Sequence, residues 1–250
     1  MRWFIDIAYR GAPFHGWQVQ PGVVTVQSVI EDALARRVRQ PVPVTGAGRT
    51  DAGVNARRMV AHFDLPDGID PRQGTFMRSL NSLCGPDIAL SAPRPVGPEA
   101  HARFDAIERT YRYFAHTAKD PFACGLSWQA PAGLDFESMN VAARALLGRR
   151  DFTSFSKLHT DVRTNICDLR AAAWHRVPGT DHKYYFEIRA DRFLRNMVRA
   201  VVGTLVDVGR RKIDTDGLIR ILEQKDRCAA GTSMPAGPLF LWNVEYPEIL

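Results

Sequence analysis

Apolar residues in this chain switch between two periods, and the order of the switches leaves few folds open. Trp3, Ile5, Ile7 and Tyr9 alternate with Arg2, Asp6 and Ala8, the period-two pattern of a strand with one buried face. Thr25 offers an N-cap, and Val26, Ile30, Leu34 and Val38 then recur at helical spacing. Arg36, Arg37 and Arg39 crowd the far end of that helix, where its dipole favours cations. Val42–Thr45 and Met59–Asp64 read as strands, Asp70 to about Leu83 as a second helix, and Asp87–Leu90 as a fourth strand. Pro93, Pro95, Gly97 and Pro98 then break the pattern.

The second half runs through the same order. Arg109–His116 alternates like a strand, and Phe136, Met139, Ala143 and Leu146 mark a helix closed by Gly148. Asn165–His175 and Lys183–Ala190 are strand-like and joined by the turn signal Pro178-Gly179. Phe193, Met197, Val201, Leu205 and Val208 form one apolar face of a long helix closed by Gly209. A shorter helix follows from about Asp216 to Lys225, and Leu239–Tyr246 is the last strand. The fold class this implies is α+β: two ferredoxin-like, RRM-like βαββαβ units, residues 1–105 and 106–250, whose sheets join into an extended antiparallel sheet. No residue-level repeat links the halves, so the duplication is one of architecture.

Between the second and third strands lies Gly46-Ala47-Gly48-Arg49-Thr50-Asp51-Ala52-Gly53-Val54. As a dinucleotide fingerprint it fails, because Asp51 stands where close helix–strand packing needs Gly or Ala and where a carboxylate repels pyrophosphate. As a phosphate-cradling P-loop it lacks the Gly-Lys-Ser/Thr ending. Two readings stay open: an Asx-type turn with Asp51 bonded to its own backbone, and a carboxylate beside Arg49 on a turn whose glycines admit a bulky guest.

Composition narrows the partner. The 250 residues carry a net charge of +6, and 28 arginines outnumber five lysines. Arginine forks onto phosphates and stacks on bases, which points to a polyanion; a codon bias toward arginine accounts for the count equally well. Cys84, Cys124, Cys167 and Cys228 show neither C-x-x-C spacing nor a Cys/His cluster, so neither zinc nor a disulfide framework is expected. The N-terminus reads as a strand, not a signal peptide, and no apolar run reaches membrane-spanning length, so a cytoplasmic protein is expected.

Three further groups carry polar or aromatic side chains. The loop Arg10–Gln18, with Phe14, Trp17 and Gln18, is either a platform for a flat polar ligand or a set of rings packed into the core. His101-Ala102-Arg103-Phe104-Asp105 leads into a strand on which Arg109, Tyr111 and Tyr113 share one face, suited to clamp a nucleobase or to form an ordinary half-exposed sheet face. Arg192, Arg195 and Arg199 fall at i, i+3 and i+7, one stripe of the expected helix, either solvated or reaching a carboxylate from its rim.

Together these motifs resemble the tRNA pseudouridine synthase A (TruA) family, almost end to end. Gly48–Val54 is similar to its catalytic signature and Phe14–Gln18 to its N-terminal loop. Leu80-Asn81 with Asp87-Ile88, His101–Phe104, Arg109–Tyr113, Asp151–Phe155, Met197-Val198-Arg199 and Leu239-Phe240-Leu241 follow in the family's order. The resemblance implies two α+β units about a basic cleft, a homodimer, no cofactor and no metal. It implies conversion of uridine to pseudouridine in the tRNA anticodon stem-loop, at tRNA positions 38–40. By position it makes Asp51 the catalytic nucleophile, Tyr111 the residue that stacks on the target base and can accept its C5 proton, and Arg199 the ion-pair partner of Asp51. Arg49 matches an arginine tied to holding the flipped-out nucleotide, and Phe14, Trp17, Gln18, His101, Arg103, Arg109 and Leu239 fall among substrate-binding positions. Two departures are Asn55, where the family usually has His, and Pro238, where it often has Gly.

The implied reaction breaks the N1–C1′ bond, turns the uracil and joins C5 to C1′. An ionised carboxylate can support it by attack at C1′, by attack at C6, or through loss of the C2′ proton and a glycal. The target base must first leave its stack. An RNA-binding module without chemistry is the rival reading. A nucleoside hydrolase is another, weakened because no second catalytic carboxylate is evident near Asp51.

Overall fold

The computed structural model describes residues 1–157 and 164–247. In chain order its elements are β1 (Arg2–Tyr9), α1 (Val26–Val38), β2 (Thr45–Gly46), β3 (Asn55–Asp64), α2 (Phe76–Cys84) and β4 (Ile88–Pro95). There follow β5 (Glu108–His116), β6 (Trp128–Gln129), α3 (Phe136–Arg144), β7 (Gly148–Asp151), β8 (Ile166–Arg176), β9 (Lys183–Ala190), α4 (Met197–Gly209), α5 (Thr215–Gln224) and β10 (Leu239–Glu245). The chain divides into two compact units, Met1–Ile107 with Leu241–Leu250, and Glu108–Phe240. The last strand, which the sequence reading puts wholly in the second unit, belongs from Leu241 onward to the first.

In the first unit the strand order is β4-β1-β3 with β2 on β3, the order of a split βαββαβ unit, and all these pairs are antiparallel. The alternation along β1 decides the layers. Trp3, Ile5, Ile7 and Tyr9 share one face of that strand, and Val26, Ile30 and Leu34 of α1 with Phe76 and Leu80 of α2 complete the buried set. From the other face Asp6 binds Arg58 of β3 and Arg94 of β4, both at 2.8 Å, and Arg58 continues to Asn243 of β10 at 2.8 Å. One carboxylate on the central strand thus ties three strands, and through Arg58 a fourth.

Helix α1 starts where the sequence predicts. Thr25 accepts from the Ser28 N–H while the Ser28 hydroxyl accepts from the Thr25 N–H, a reciprocal cap. Two expected elements are shorter. The strand at Val42–Thr45 is reduced to Thr45–Gly46, because Pro41 and Pro43 have no N–H for a ladder and the Val44 backbone bonds to Glu31 and Gln27 of α1. Helix α2 begins at Phe76, not Asp70, because Asp70 folds a turn around the Arg72 N–H and guanidinium and Gly74 has φ +58°.

The second unit pairs β5-β9-β8-β7 antiparallel, with β6 parallel to the end of β5. β7 is not apparent in the sequence, where Gly148 reads as a helix stop; Gly148 has φ +90° and opens that strand. Helix α4 is apolar nearly all round and almost wholly buried, as a central helix must be. It starts at Met197, four residues later than the periodicity predicts. Asn196 takes the left-handed conformation at φ +65°, and Asp191 Oδ1 accepts from the N–H groups of Asp168 and Arg192, which fixes the preceding chain as a loop. Arg192 and Arg195 therefore lie ahead of α4, and the expected three-arginine helical stripe does not form.

A strap, residues 231–234, crosses α4 at backbone contact. A Cβ on Gly203 would lie 1.9 Å from the Thr232 carbonyl oxygen, and one on Gly231 would lie 2.8 Å from the Thr204 nitrogen. The Thr204 hydroxyl accepts from the Gly231 N–H at 2.9 Å. No helix among the described residues is long and apolar enough to cross a membrane. Gly203→Ala should lower unfolding free energy by about 2–3 kcal/mol in denaturant melts, since backbone must shift to admit the methyl. Gly97→Ala, whose Cβ would meet nothing within 4 Å, should stay within about 0.5 kcal/mol of wild type.

Candidate active site

The candidate residues divide between the two units. In the first, everything turns on how the loop of residues 10–18 meets the stretch 46–54. A Cβ on Gly11 would stand 2.2 Å from the Val54 carbonyl oxygen, and one on Gly16, at φ +88°, 2.6 Å from that of Thr50. Only glycine permits this approach. Hydrogen bonds then lock it. The Trp17 N–H donates to the Thr50 carbonyl at 3.2 Å, the Tyr9 hydroxyl and Thr50 Oγ1 are 2.7 Å apart and buried, and Asn55 Oδ1 accepts from the Gly11 N–H at 2.7 Å. The departure at position 55 thus has a defined role here, as a buried acceptor for the facing loop.

The same loop also finishes α1. The carbonyls of Gly16 and Trp17 accept from the N–H groups of Val26 and Gln27, satisfying donors that a helix start leaves open. Trp17 lies against Gly46, where a Cβ would be 2.5 Å from its ring. Trp17 is 2% exposed and Phe14 8%, so their rings fill the interior and do not form an open platform for a ligand. Gln18 is half-buried at the rim.

On this base sits Asp51, half-buried, with the Val54 N–H donating to its carbonyl at 3.1 Å and Gly53 in the left-handed region at φ +79°. Arg49 is exposed. Gly48 differs from the other motif glycines: its φ is ordinary, and a Cβ there would meet nothing within 4 Å. Neither backbone nor neighbours demand glycine at 48, and its bare surface lies three residues from the carboxylate.

His101 and Arg103 are near the other end of β3, away from Asp51. His101 Nδ1 accepts from the N–H groups of Arg103 and Phe104 at 3.1 and 3.3 Å, and Asp105 accepts from the His101 N–H at 2.7 Å. Its ring meets the buried His62 edge-on at 4.7 Å. His62 Nδ1 accepts from the Ala102 N–H at 3.1 Å. Burial above all, then the charges of His101 and Arg2, push the His62 pKa down to about 4. This motif organises the turn leading out of the first unit.

In the second unit the regular β5–β9 register puts Arg109, Tyr111 and Tyr113 on one face, as the alternation predicts. Their environments differ. Tyr113 is fully buried, its hydroxyl lacks a hydrogen-bond partner among the described residues, and burial pushes its phenol pKa up against the opposing charge of Arg199. Tyr111 is half-buried, with the Phe193 ring edge-on at 5.1 Å and 85°. Arg109 donates to the Asp191 carbonyl at 2.7 Å. Arg199, in the first turn of α4, donates from Nε to the Met234 carbonyl at 2.6 Å, and the Met234 N–H donates back to the Arg199 carbonyl at 3.1 Å. Leu239 is a core residue, and the Pro238 carbonyl accepts from the Phe114 N–H at 3.0 Å, a bond that needs no donor at position 238.

Phe193 and Met234 are the contributors that sequence reasoning missed. In the sequence Phe193 falls on a helical apolar face, and Met234 acts through its peptide, which leaves no side-chain signal. Among the described residues no group of three or more His, Cys, Asp or Glu could hold a metal.

A profile described as tRNA pseudouridine synthase matches residues 142–247. Over its full length the chain is similar to proteins named tRNA pseudouridine synthase A. Identity is 54% to that of Bacteroides thetaiotaomicron, covering 99% of this chain and 91% of the relative. It is 54% to that of Parabacteroides distasonis, over 100% and 97%, and 39% to that of Bacillus subtilis, over 98% and 99%.

Two measurements follow from this geometry. Tyr9→Phe strips Thr50 of a buried partner and should cost about 1–2 kcal/mol of stability. For His62, a folded pKa near 4 against about 6.5 in the unfolded chain means that unfolding takes up a proton between those values. That stability is fully present above about pH 6.5 and is lost as pH falls toward 4. Wild type should lose on the order of 1–2 kcal/mol more than His62→Asn across that window in denaturant melts.

Proposed function

The chain belongs to the tRNA pseudouridine synthase A family, and on that premise we propose that it isomerises uridine to pseudouridine in the anticodon stem-loop, at tRNA positions 38–40, with Asp51 as nucleophile and the target nucleotide flipped from its stack. Membership makes it an isomerase that forms pseudouridine in tRNA. The observation that carries the finer reading is the Asp51 loop. A half-buried carboxylate is held on a stretch locked from beneath by two backbone contacts and a Tyr9–Thr50 bond, with the bare backbone of Gly48 beside it. Such a base holds a reacting group in place while leaving room for a nucleotide.

The chemistry asks little more than this. The N1–C1′ bond breaks, the uracil turns, C5 bonds to C1′, the C5 proton leaves to a base, and N1 ends protonated. Atoms and electrons balance without oxidant, reductant or cofactor. Asp51 stabilises the separated state, at C1′, at C6 or through a glycal. Tyr111 stacks on the uracil and keeps it oriented while it turns, with its phenol available to the C5 proton; the edge-on Phe193 ring supports that stacking. Arg199, whose Nε is held by the Met234 carbonyl, is the ion-pair partner of Asp51. Arg49, exposed three residues after Gly46, meets the flipped nucleotide's backbone. The enzyme works as a homodimer in the cytoplasm, where its substrate is processed.

Tritium release from tRNA labelled at uridine C5 tests the assignment. Asp51→Ala should abolish release, by at least about 10³-fold, while binding tRNA as wild type does. Normal release from that variant would remove Asp51 from the reaction. Gly48→Ala separates clearance from folding: stability should stay within about 0.5 kcal/mol while release falls at least tenfold. An active Gly48→Ala enzyme would place the nucleotide elsewhere.

A further inference from the structure

Beyond the candidate site, the second unit has a recess beside the first turn of α4. It measures about 680 Å³ and is lined by Lys157, Asn196, Arg227, Cys228, Gly231 and Thr232, among others. Among the described residues the charged side chains in its lining are Lys157 and Arg227, both cationic. The contrast is a second recess on the same unit, where Asp135, Glu137 and Asp214 stand among Arg211, Lys212 and Arg220 and the signs offset one another.

The two cations are placed without being neutralised. Arg227 Nη2 donates to Ser233 Oγ at 2.8 Å, and Nη1 donates to the carbonyls of Gly231 and Ala230 at 3.2 and 3.4 Å. These acceptors are uncharged, so the guanidinium is fixed in direction without a carboxylate partner among the described residues. The Lys157 N–H is tied to the Arg195 carbonyl at 3.0 Å, and its exposed ammonium has no ion-pair partner among the described residues. Asn196, at the start of α4, turns its amide to Ser233 Oγ at 2.6 Å and does not cap the helix, so the positive end of the α4 dipole is uncapped there. The wall is stiff, because Gly203 and Gly231 bring the strap into backbone contact with α4. That strap runs on to Met234, which holds Arg199, so the recess and Arg199 share one support.

We propose that this recess is a subsite for a backbone phosphate of the substrate RNA, with Lys157 and Arg227 as its ligands. The proposal rests on the reading of the chain as a tRNA-modifying enzyme. Two cations, no carboxylate among the described lining residues and an open, preformed hollow suit a phosphodiester, which is anionic, hydrated and indifferent to sequence.

The test uses the full-length protein and unmodified tRNA. Lys157→Gln alters an exposed side chain and should leave the fold intact. Its Kd for tRNA should rise about three- to tenfold, and the slope of log K against log salt should fall by about 0.7–0.9, the share of one phosphate contact. Lys157→Arg should restore both. Cys228 supplies an internal reporter on the lining: its alkylation by iodoacetamide, read by peptide mass spectrometry, should slow when tRNA is saturating. A Lys157→Gln protein with wild-type Kd and salt slope would overturn the proposal, as would Cys228 labelling that tRNA does not slow. Absence of tritium release in the wild type would fail the isomerase reading alone, because the binding and labelling measurements judge the recess without catalysis.

Discussion

The arrangement around Asp51 depends on one steric fact: two loops of the first unit touch at their backbones. At Gly11 and Gly16 a single carbon atom on the near side would collide with the chain from Thr50 to Val54. Contact this close turns a surface loop into a foundation. The Trp17 and Gly11 N–H groups find acceptors on the facing stretch, Trp17 itself is driven under Gly46, and the loop's carbonyls finish the first turn of α1. A carboxylate borne on such a base has few ways to relax, because the backbone contacts beneath it provide rigidity.

The second unit reaches a similar end by different means. Its central helix is buried almost all round, so close packing governs where the helix can lie. Arg199 emerges from that helix and is tethered by a peptide group of the strap, one hydrogen bond in each direction. Two glycines again set the spacing, this time between a helix and an extended segment. In both units glycine acts as the absence that lets main chain meet main chain, and the polar groups then have nowhere to turn except toward each other.

How far the sequence shows this depends on the length over which a signal is written. The β1 alternation, the Thr25 cap and the Arg109–Tyr113 face are local patterns, and they are legible residue by residue. Helix starts are not legible where a side chain bonds to nearby backbone and competes with the helix, at Asp70 and at Asp191. The brevity of β2 is hidden by Val42 and Val44, whose apolar character serves the core while Pro41 and Pro43 forbid a ladder. In the candidate site, Asp51, Tyr111 and Arg199 carry chemistry in their side chains and could be read as candidates. Phe14 and Trp17 illustrate the ambiguity that composition leaves: aromatic rings on a glycine-rich loop suit a ligand or a core, and burial decides for the core. The Met234 peptide and the Gly203–Thr232 contact depend on tertiary proximity that no single-sequence pattern records.

The first unit is discontinuous, taking in the chain from Leu241 onward after the entire second unit has intervened. During synthesis, then, the strands β4, β1 and β3 emerge early but must wait for more than half the polypeptide before their last segment exists, whereas the second unit's own segments are all present by Phe240. The Arg58 guanidinium, which pairs with Asp6 of its own first segment, finds Asn243 only after the second unit's segments have been made. Completion of the Asp51-bearing unit thus waits on the whole of the second unit.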